Sequence, residues 1–204
     1  MLSAKKMAVG LTEVDFLGMT IRNGAYVPQP HLAKELLRFP DENLTRTQIQ
    51  QFLGIVNYLR DFVPRLSTWT TPLSSMLKKE SKGWTSTQTT AVKHLKSYLQ
   101  QLQPLHIPGE GQRILQTDAS NSYWGAVLLE QNDNQRRICG YKSGAFSHAQ
   151  QHYHSTMKEL LAIKMGISKL KFHLIGHHFI VETDFVASRG MLKAKDAKIG
   201  RAHV

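Results

Sequence analysis

The segment Ile114-Leu115-Gln116-Thr117-Asp118-Ala119-Ser120 constrains this chain more than any other, because the elements after it leave few ways to fold. Period-2 alternation puts Ile114, Gln116 and Asp118 on one face of a strand and Leu115, Thr117 and Ala119 on the other, with Asp118 delivered at the strand end. Tyr123 to Glu130 reads as a second strand after an Asn121-Ser122 turn, and Arg136 to Ser147 as a third, so the three form an antiparallel meander. From His154 to Gly176 the spacing becomes helical, with Leu160, Ile163, Ile167, Leu170 and Leu174 as the expected buried stripe. Phe179-Ile180-Val181 then opens a fourth strand ending in Glu182-Thr183-Asp184. Because it follows a helix, it can return parallel to the first. The expected fold is α/β, with a mixed sheet and flanking helices.

Three acids acquire related positions in this order of elements: Asp118 at one strand end, Glu159 in the first turns of the helix, and Asp184 at the end of a strand able to lie beside the first. Glu159 precedes Ile163 by four residues and so can point toward the sheet. Converging carboxylates suit two hard divalent cations, Mg²⁺ or Mn²⁺, which can activate water and stabilise the leaving oxygen of a phosphodiester. Each acid also has a purely structural reading. Asp118 could make an Asx-turn, Glu159 could complete a capping box Thr156-Met157-Lys158-Glu159, and Asp184 could cap a helix starting at Phe185. Taken together in this order, the three favour a site.

The same residues carry a resemblance. Thr117-Asp118-Ala119-Ser120 with Tyr123-Trp124-Gly125, then Ile138 to Gly144, Tyr153-His154-Ser155 with Lys158-Glu159-Leu160-Leu161-Ala162-Ile163, and finally Thr183-Asp184, resemble the ribonuclease H domain of a reverse transcriptase, closest to those of plant pararetroviruses, the caulimovirus family. The resemblance implies an RNase H-like domain over 113–204, with Asp118, Glu159 and Asp184 as catalytic metal ligands. It implies cleavage of the RNA strand of an RNA–DNA hybrid, leaving a 3′-hydroxyl and a 5′-phosphate. Ser120, Ser155 and Thr156, near the acids, are candidate backbone contacts. The family uses four acids. Asp196 is the sole acid after Asp184 and sits in Lys193-Ala194-Lys195-Asp196-Ala197-Lys198, a solvated basic segment, so the fourth ligand is expected to be missing and the domain C-terminally truncated.

The charge balance points to a polyanion. Lys and Arg number 26 against 15 acids, a formal net charge of +11 with a pI of about 9.8. Residues 1–112 carry 13 basic and 8 acidic side chains and residues 113–204 carry 13 and 7, so both parts can touch the same partner. An anionic membrane would fit a basic amphipathic helix with an aromatic face, and none is evident. The single cysteine, Cys139, allows no intramolecular disulfide, which fits a reducing compartment. No apolar run reaches the length of a membrane span. The expectation is an intracellular chain, in host cytoplasm or virion, excised from a larger polyprotein.

Upstream, Val14 to Ile21 and Ala25 to Pro28 flank Asn23-Gly24, a strong hairpin signal. Beside the resemblance, Phe16-Leu17-Gly18 matches the last palm hairpin of a reverse transcriptase, giving a palm end over 1–28. The polymerase's Tyr-x-Asp-Asp is absent from the sequence. His31 to Leu37 predicts a short helix. A clearer one opens at the capping box Thr45-Arg46-Thr47-Gln48, with Ile49, Phe52, Leu53, Val56 and Leu59 as its stripe and Arg46, Gln50, Asn57 and Arg60 opposite, until Pro64 ends it. Thr71-Pro72 predicts a further helix with Pro72 at its first position and Leu73, Met76 and Leu77 buried. These helices, over 29–78, resemble a polymerase thumb, which implies that they grip the template–primer duplex, Arg60 among the contacts. Gly83-Trp84-Thr85 opens a helix through Leu99 with Val92, Leu95 and Leu99 as its stripe, read as a tether over 79–112. His148/His152 and His173/His177 lack cysteine partners and a His-Glu-x-x-His motif, so no zinc site is expected. The function expected is a metal-dependent ribonuclease H within a reverse transcriptase. The competing reading is a non-catalytic nucleic-acid-binding fragment or subunit that positions template and primer.

Overall fold

The computed structural model describes residues 10–81 and 83–184. Two antiparallel turns begin the chain. β1 (Glu13–Phe16), β2 (Met19–Arg22) and β3 (Ala25–Pro28) form a meander, and β4 (Leu105–His106), nearly eighty residues on, pairs with β3 to complete a four-stranded sheet. The expected Asn23-Gly24 turn is present, both residues having positive φ (50° and 68°), as a two-residue hairpin of this twist requires. The single run read from Val14 to Ile21 is two strands. Leu17 and Gly18, also at positive φ (47° and 72°), turn the chain between them, and the Leu17 carbonyl accepts a bond from the Tyr58 hydroxyl.

Helices follow: α1 (Pro30–Leu36), α2 (Arg46–Tyr58), α3 (Leu66–Ser75) and α4 (Ser86–Leu99). α2 starts where its sequence says, with the Thr45 hydroxyl accepting from the Gln48 N–H and the Gln48 side chain accepting from the Thr45 N–H. Of its expected stripe, Ile49, Phe52, Val56 and Leu59 are buried and Leu53 is half-buried. α3 departs from expectation. It begins six residues before Pro72, so the proline lies inside the helix, and only Leu73 of the expected trio is buried. The Thr71 and Thr70 hydroxyls donate to the Ser67 and Leu66 carbonyls, i−4 back-bonds within the turn that precedes the proline. α4 contributes Val92, Leu95 and Leu99 to the same core as Phe52 and Leu73, so the segment read as a tether is packed into the helical core.

The second sheet has the order β7-β6-β5-β8, from β5 (Gln112–Ala119), β6 (Tyr123–Asn132), β7 (Gln135–Ala145) and β8 (Phe179–Glu182). β5, β6 and β7 are antiparallel neighbours, and β8 lies parallel to β5, which makes the sheet mixed as expected. A short α5 (His148–Gln151) precedes the long α6 (Ser155–Leu174), which covers one face. The buried ridge of α6 keeps Leu170 and Leu174 of the expected stripe but differs in its first half. Ala162, Gly166, Leu170 and Leu174 face the sheet, whereas Leu160, Ile163 and Ile167 are half-buried flanks. At the start of β5, the Glu130 carboxylate accepts from the Gly109 and Gly111 N–H groups and the Arg113 guanidinium donates to the Gly109 carbonyl, pinning the glycine loop.

The two cores are joined across β7. Lys142 reaches Asp61 at 2.5 Å, Ser143 meets Ser67 at 3.0 Å, and the Tyr26 hydroxyl donates to the Cys139 carbonyl at 3.5 Å.

Candidate metal centre

Three backbone decisions bring the acids together. The first is register. Parallel β5 and β8 pair Gln116 with Glu182, and two residues further along each chain stands an aspartate, Asp118 and Asp184. The second is the closeness of α6. A Cβ built on Gly166 would lie 3.0 Å from the Ala126 Cβ and 3.3 Å from the Thr117 Cγ2, so the helix rests on the sheet at backbone distance. The third is helix phase. His154, not Thr156, is the N-cap, its Nδ1 accepting from the Thr156 N–H at 3.3 Å, which makes Glu159 the fifth helical residue and removes it from any capping box. Freed from that role, Glu159 turns to the strand ends.

The result is one carboxylate oxygen from each of Asp118, Glu159 and Asp184 within 4.8 Å of one another. Glu159 bears the strain of that proximity. Its Oε2 is buried without a hydrogen-bond partner. Burial first, then the Asp184 and Asp118 charges, push its carboxyl above the ordinary range, while the Ala119 N–H pulls the other way. A buried, unpartnered carboxylate oxygen facing two aspartates fits an oxygen-ligated divalent cation, which would satisfy the lone pairs and offset the repulsion. No other group of acids, histidines and cysteine among the described residues gathers in this way; His148 and His152 pair only with each other, edge to face.

Asp118 has a second neighbour that the sequence does not announce. Arg65, in the corner between a 3₁₀ turn (Arg60–Phe62) and α3, places its Nη2 2.8 Å from the Asp118 Oδ2. The Asx-turn alternative is thereby displaced. The β5–β6 turn is closed instead by Ser120, whose hydroxyl accepts from the Tyr123 N–H and donates to its carbonyl. The possible capping role of Asp184 concerns a helix from Phe185, outside the described residues.

Of the other candidates, Ser155 is exposed and Thr156 half-buried at the start of α6, close to Glu159 in sequence. Arg60 is not part of the three-acid cluster. It lies 3.6 Å from Asp61 and lines a separate cavity of about 450 Å³ with Lys142 and Lys169. A groove of about 500 Å³ runs over the two aspartates, bordered by Pro64, Arg65, Gln116, Asp118, Gly125 and Asp184. Buried Lys158, one residue before Glu159, donates to the Asn121 side chain at 2.5 Å and fixes the β5–β6 turn against the helix. Sequence reading missed Arg65, Lys158 and Gly166. Only Gly166 left a local trace, the small-residue spacing Ala162-x-x-x-Gly166.

Residues 84–181 match the model of the RNase H-like domain found in reverse transcriptase. Along 95% of its length the chain is 53% identical to the genome polyprotein of Petunia vein clearing virus. The chain therefore carries an RNase H-like domain, and the relatives it matches are caulimovirus polyproteins. It is 36% identical over 209 residues to the enzymatic polyprotein of Cauliflower mosaic virus (strain Strasbourg), which covers 98% of the chain. It spans only 9% of the first polyprotein and 31% of the second. The foamy viral protease-reverse transcriptase solved with an RNA/DNA hybrid shares the fold at a TM-score of 0.74 and 21% identity, over 94% of this chain and 26% of that one. The same protein with dsDNA gives 0.73 at 22%, over 93% and 40%. The family match confirms the RNase H-like domain of a viral reverse transcriptase polyprotein and the mixed-sheet fold expected from sequence. Its first residue falls just before α4, whose side chains belong to the helical core, so family boundary and packing boundary do not coincide. No helix among the described residues is long and apolar enough to cross a membrane.

Proposed function

We propose that this chain cleaves the RNA strand of RNA–DNA hybrids during reverse transcription, with Asp118, Glu159 and Asp184 holding two divalent cations, Mg²⁺ or Mn²⁺. The observation that carries the reading is the buried, unpartnered Glu159 oxygen within 4.8 Å of oxygens from both aspartates. Three carboxylates at that spacing repel one another, only Asp118 having an arginine beside it, and packing has brought them together regardless.

Such a cation pair, when bound, supplies an activated water and a stabiliser for the departing 3′-oxygen. The chain's own residues set the rest. Asp118 and Asp184, exposed at the ends of parallel strands, face solvent and the substrate. Glu159 comes from below, on a helix held at backbone distance by Gly166. The groove over the acids opens onto a basic surface, where Arg60, Lys142 and Lys169 belong to the neighbouring cavity, so contact with the duplex runs mainly through its phosphates and 2′-hydroxyl contacts distinguish the RNA strand. The helices of residues 29–78 continue that surface as a thumb-like grip on template and primer, with 1–28 as the end of a palm, 79–112 as a connection and 113–204 as the nuclease unit. Ser120, Ser155 and Thr156 lie near the acids, within reach of a backbone.

The test is cleavage of an end-labelled RNA–DNA hybrid in Mg²⁺ or Mn²⁺ by this chain and by a form extended at its C-terminus along the polyprotein. Cleavage lost in both forms on Asp118→Asn establishes the nuclease. Hybrid binding that is tight, salt-sensitive and indifferent to Asp118→Asn, without cleavage in either form, assigns the chain to a non-catalytic clamp instead.

A further inference from the structure

Arg65 is built into the acid site by its backbone and left loose at its tip. It follows Pro64 and adopts a left-handed conformation (φ 49°, ψ 31°), one that residues with a Cβ seldom take. The corner is tied down on the next residue but one: the Ser67 N–H and hydroxyl both meet the Ser143 hydroxyl at 3.0 Å, and Ser143 pairs with Gly125, which pairs with Asp118. The arginine stem runs close over Gly125, where a Cβ would lie at ordinary contact distance, 4.0 Å, from the Arg65 Cγ. The guanidinium then meets Asp118 at 2.8 Å while the side chain remains 75% exposed. A rigid base with an exposed tip describes a group able to change partners.

Its surroundings indicate what the second partner is. Arg65 and Asp118 are shared by two adjoining grooves, the one over the acids and another of about 380 Å³ bordered by Trp69, Ser120 and Tyr123. A strand passing from one groove to the other crosses the Arg65 tip. An Arg fork at that crossing matches a phosphodiester, which it can hold bidentately, better than a lysine would.

We propose that Arg65 is an exchangeable counter-cation of the acid site: its guanidinium holds Asp118 in the absence of divalent cation and, once released, holds a backbone phosphate of the strand lying across the acids. The proposal rests on the metal-centre reading above. It makes Arg65 a positioning residue that couples cation loading to substrate binding, since the same displacement that frees the Asp118 oxygen frees the guanidinium.

The experiment uses the full chain, Arg65→Gln, Arg65→Gly and Asp118→Asn. Arg65→Gly suits the left-handed corner and guards against a variant that fails to fold. Mn²⁺ affinity is read by electron paramagnetic resonance of free Mn²⁺, and hybrid affinity by fluorescence anisotropy in Ca²⁺ over a salt series. Losing an exposed ion pair should tighten Mn²⁺ binding by about two- to fivefold in both Arg65 variants. Hybrid binding should weaken, with a salt slope smaller by about one phosphate contact. Unchanged Mn²⁺ affinity in the Arg65 variants, with binding abolished by Asp118→Asn, overturns the counter-cation role and leaves the metal centre standing. Tighter Mn²⁺ binding with hybrid affinity and salt slope unchanged overturns the phosphate role. Mn²⁺ binding indifferent to Asp118→Asn removes the metal centre itself.

Discussion

The helical core and the helix–sheet contact of the second half are packed on opposite principles. In the first, Phe52, Ile49, Leu59, Leu73 and Leu95 interlock, all with less than 3% of their surface exposed, and stability comes from buried volume. In the second, the C-terminal half of α6 buries Leu170 and Leu174, but beside the acids it meets β5 and β6 through Gly166, Ala162 and Ala126, residues with almost no side chain to bury. Volume is given up there for closeness. A helix carried on leucines would stand farther from the sheet and take Glu159 away from Asp118 and Asp184. One region supplies stability to the whole, and the other gives some up to assemble charge.

Substitutions in the two regions should therefore fail differently. Phe52→Ala removes the largest side chain of the helical core and should cost about 3–5 kcal/mol in chemical denaturation. The protein that remains folded should keep its Mn²⁺ affinity, because no acid rests on that core. Gly166→Val should cost about 1–3 kcal/mol by overpacking, yet reduce Mn²⁺ affinity far more than Phe52→Ala does. Equal metal binding by the two variants would end the contrast, since closeness at Gly166 would then have no bearing on the acids.

A smaller effect concerns pH. The Glu159 carboxyl is raised in the folded chain, so it favours folding fully below the ordinary 4.5, and that contribution is lost as pH rises through the raised native value. Without divalent cation, Glu159→Gln should therefore melt higher than the parent at neutral pH, and the gap should close on acidification to below that window. Gln retains an acceptor for the Ala119 N–H. Adding Mg²⁺ should raise the melting temperature of the parent and leave that of Glu159→Gln nearly unchanged. A variant that melts lower than the parent in EDTA at neutral pH would contradict the repulsion.

The same contrast explains what was legible in the sequence. β5 is readable from its alternation, β6 to β8 from β-prone runs bounded by turns or a helix, and the parallel return of β8 from the helix that intervenes. The phase of α6 was not. Hydrophobic periodicity selects the stripe with most apolar volume, Ile163 and Ile167, whereas the contact uses the residues with least, Ala162 and Gly166. The capping box at Thr156 was plausible by pattern but lost to His154, two residues earlier, and with it went the structural reading of Glu159. Pro72 fits a helix start, yet the left-handed corner at Arg65 had already begun the helix. β4 is only two residues long, too short for any pattern, and Arg65 finds a partner 53 positions away. The three acids were visible in the order of elements, and the residues that support them through tertiary contact, Arg65, Lys158 and Gly166, were not.

The central claim is that three carboxylates form a divalent-cation centre. Anomalous scattering from crystals grown with Mn²⁺ tests it most directly. The account predicts peaks coordinated by Asp118, Glu159 and Asp184, two of them roughly 4 Å apart, with the Arg65 guanidinium turned away from Asp118. A map at saturating Mn²⁺ with no peak at these acids and the Arg65–Asp118 pair intact would contradict it.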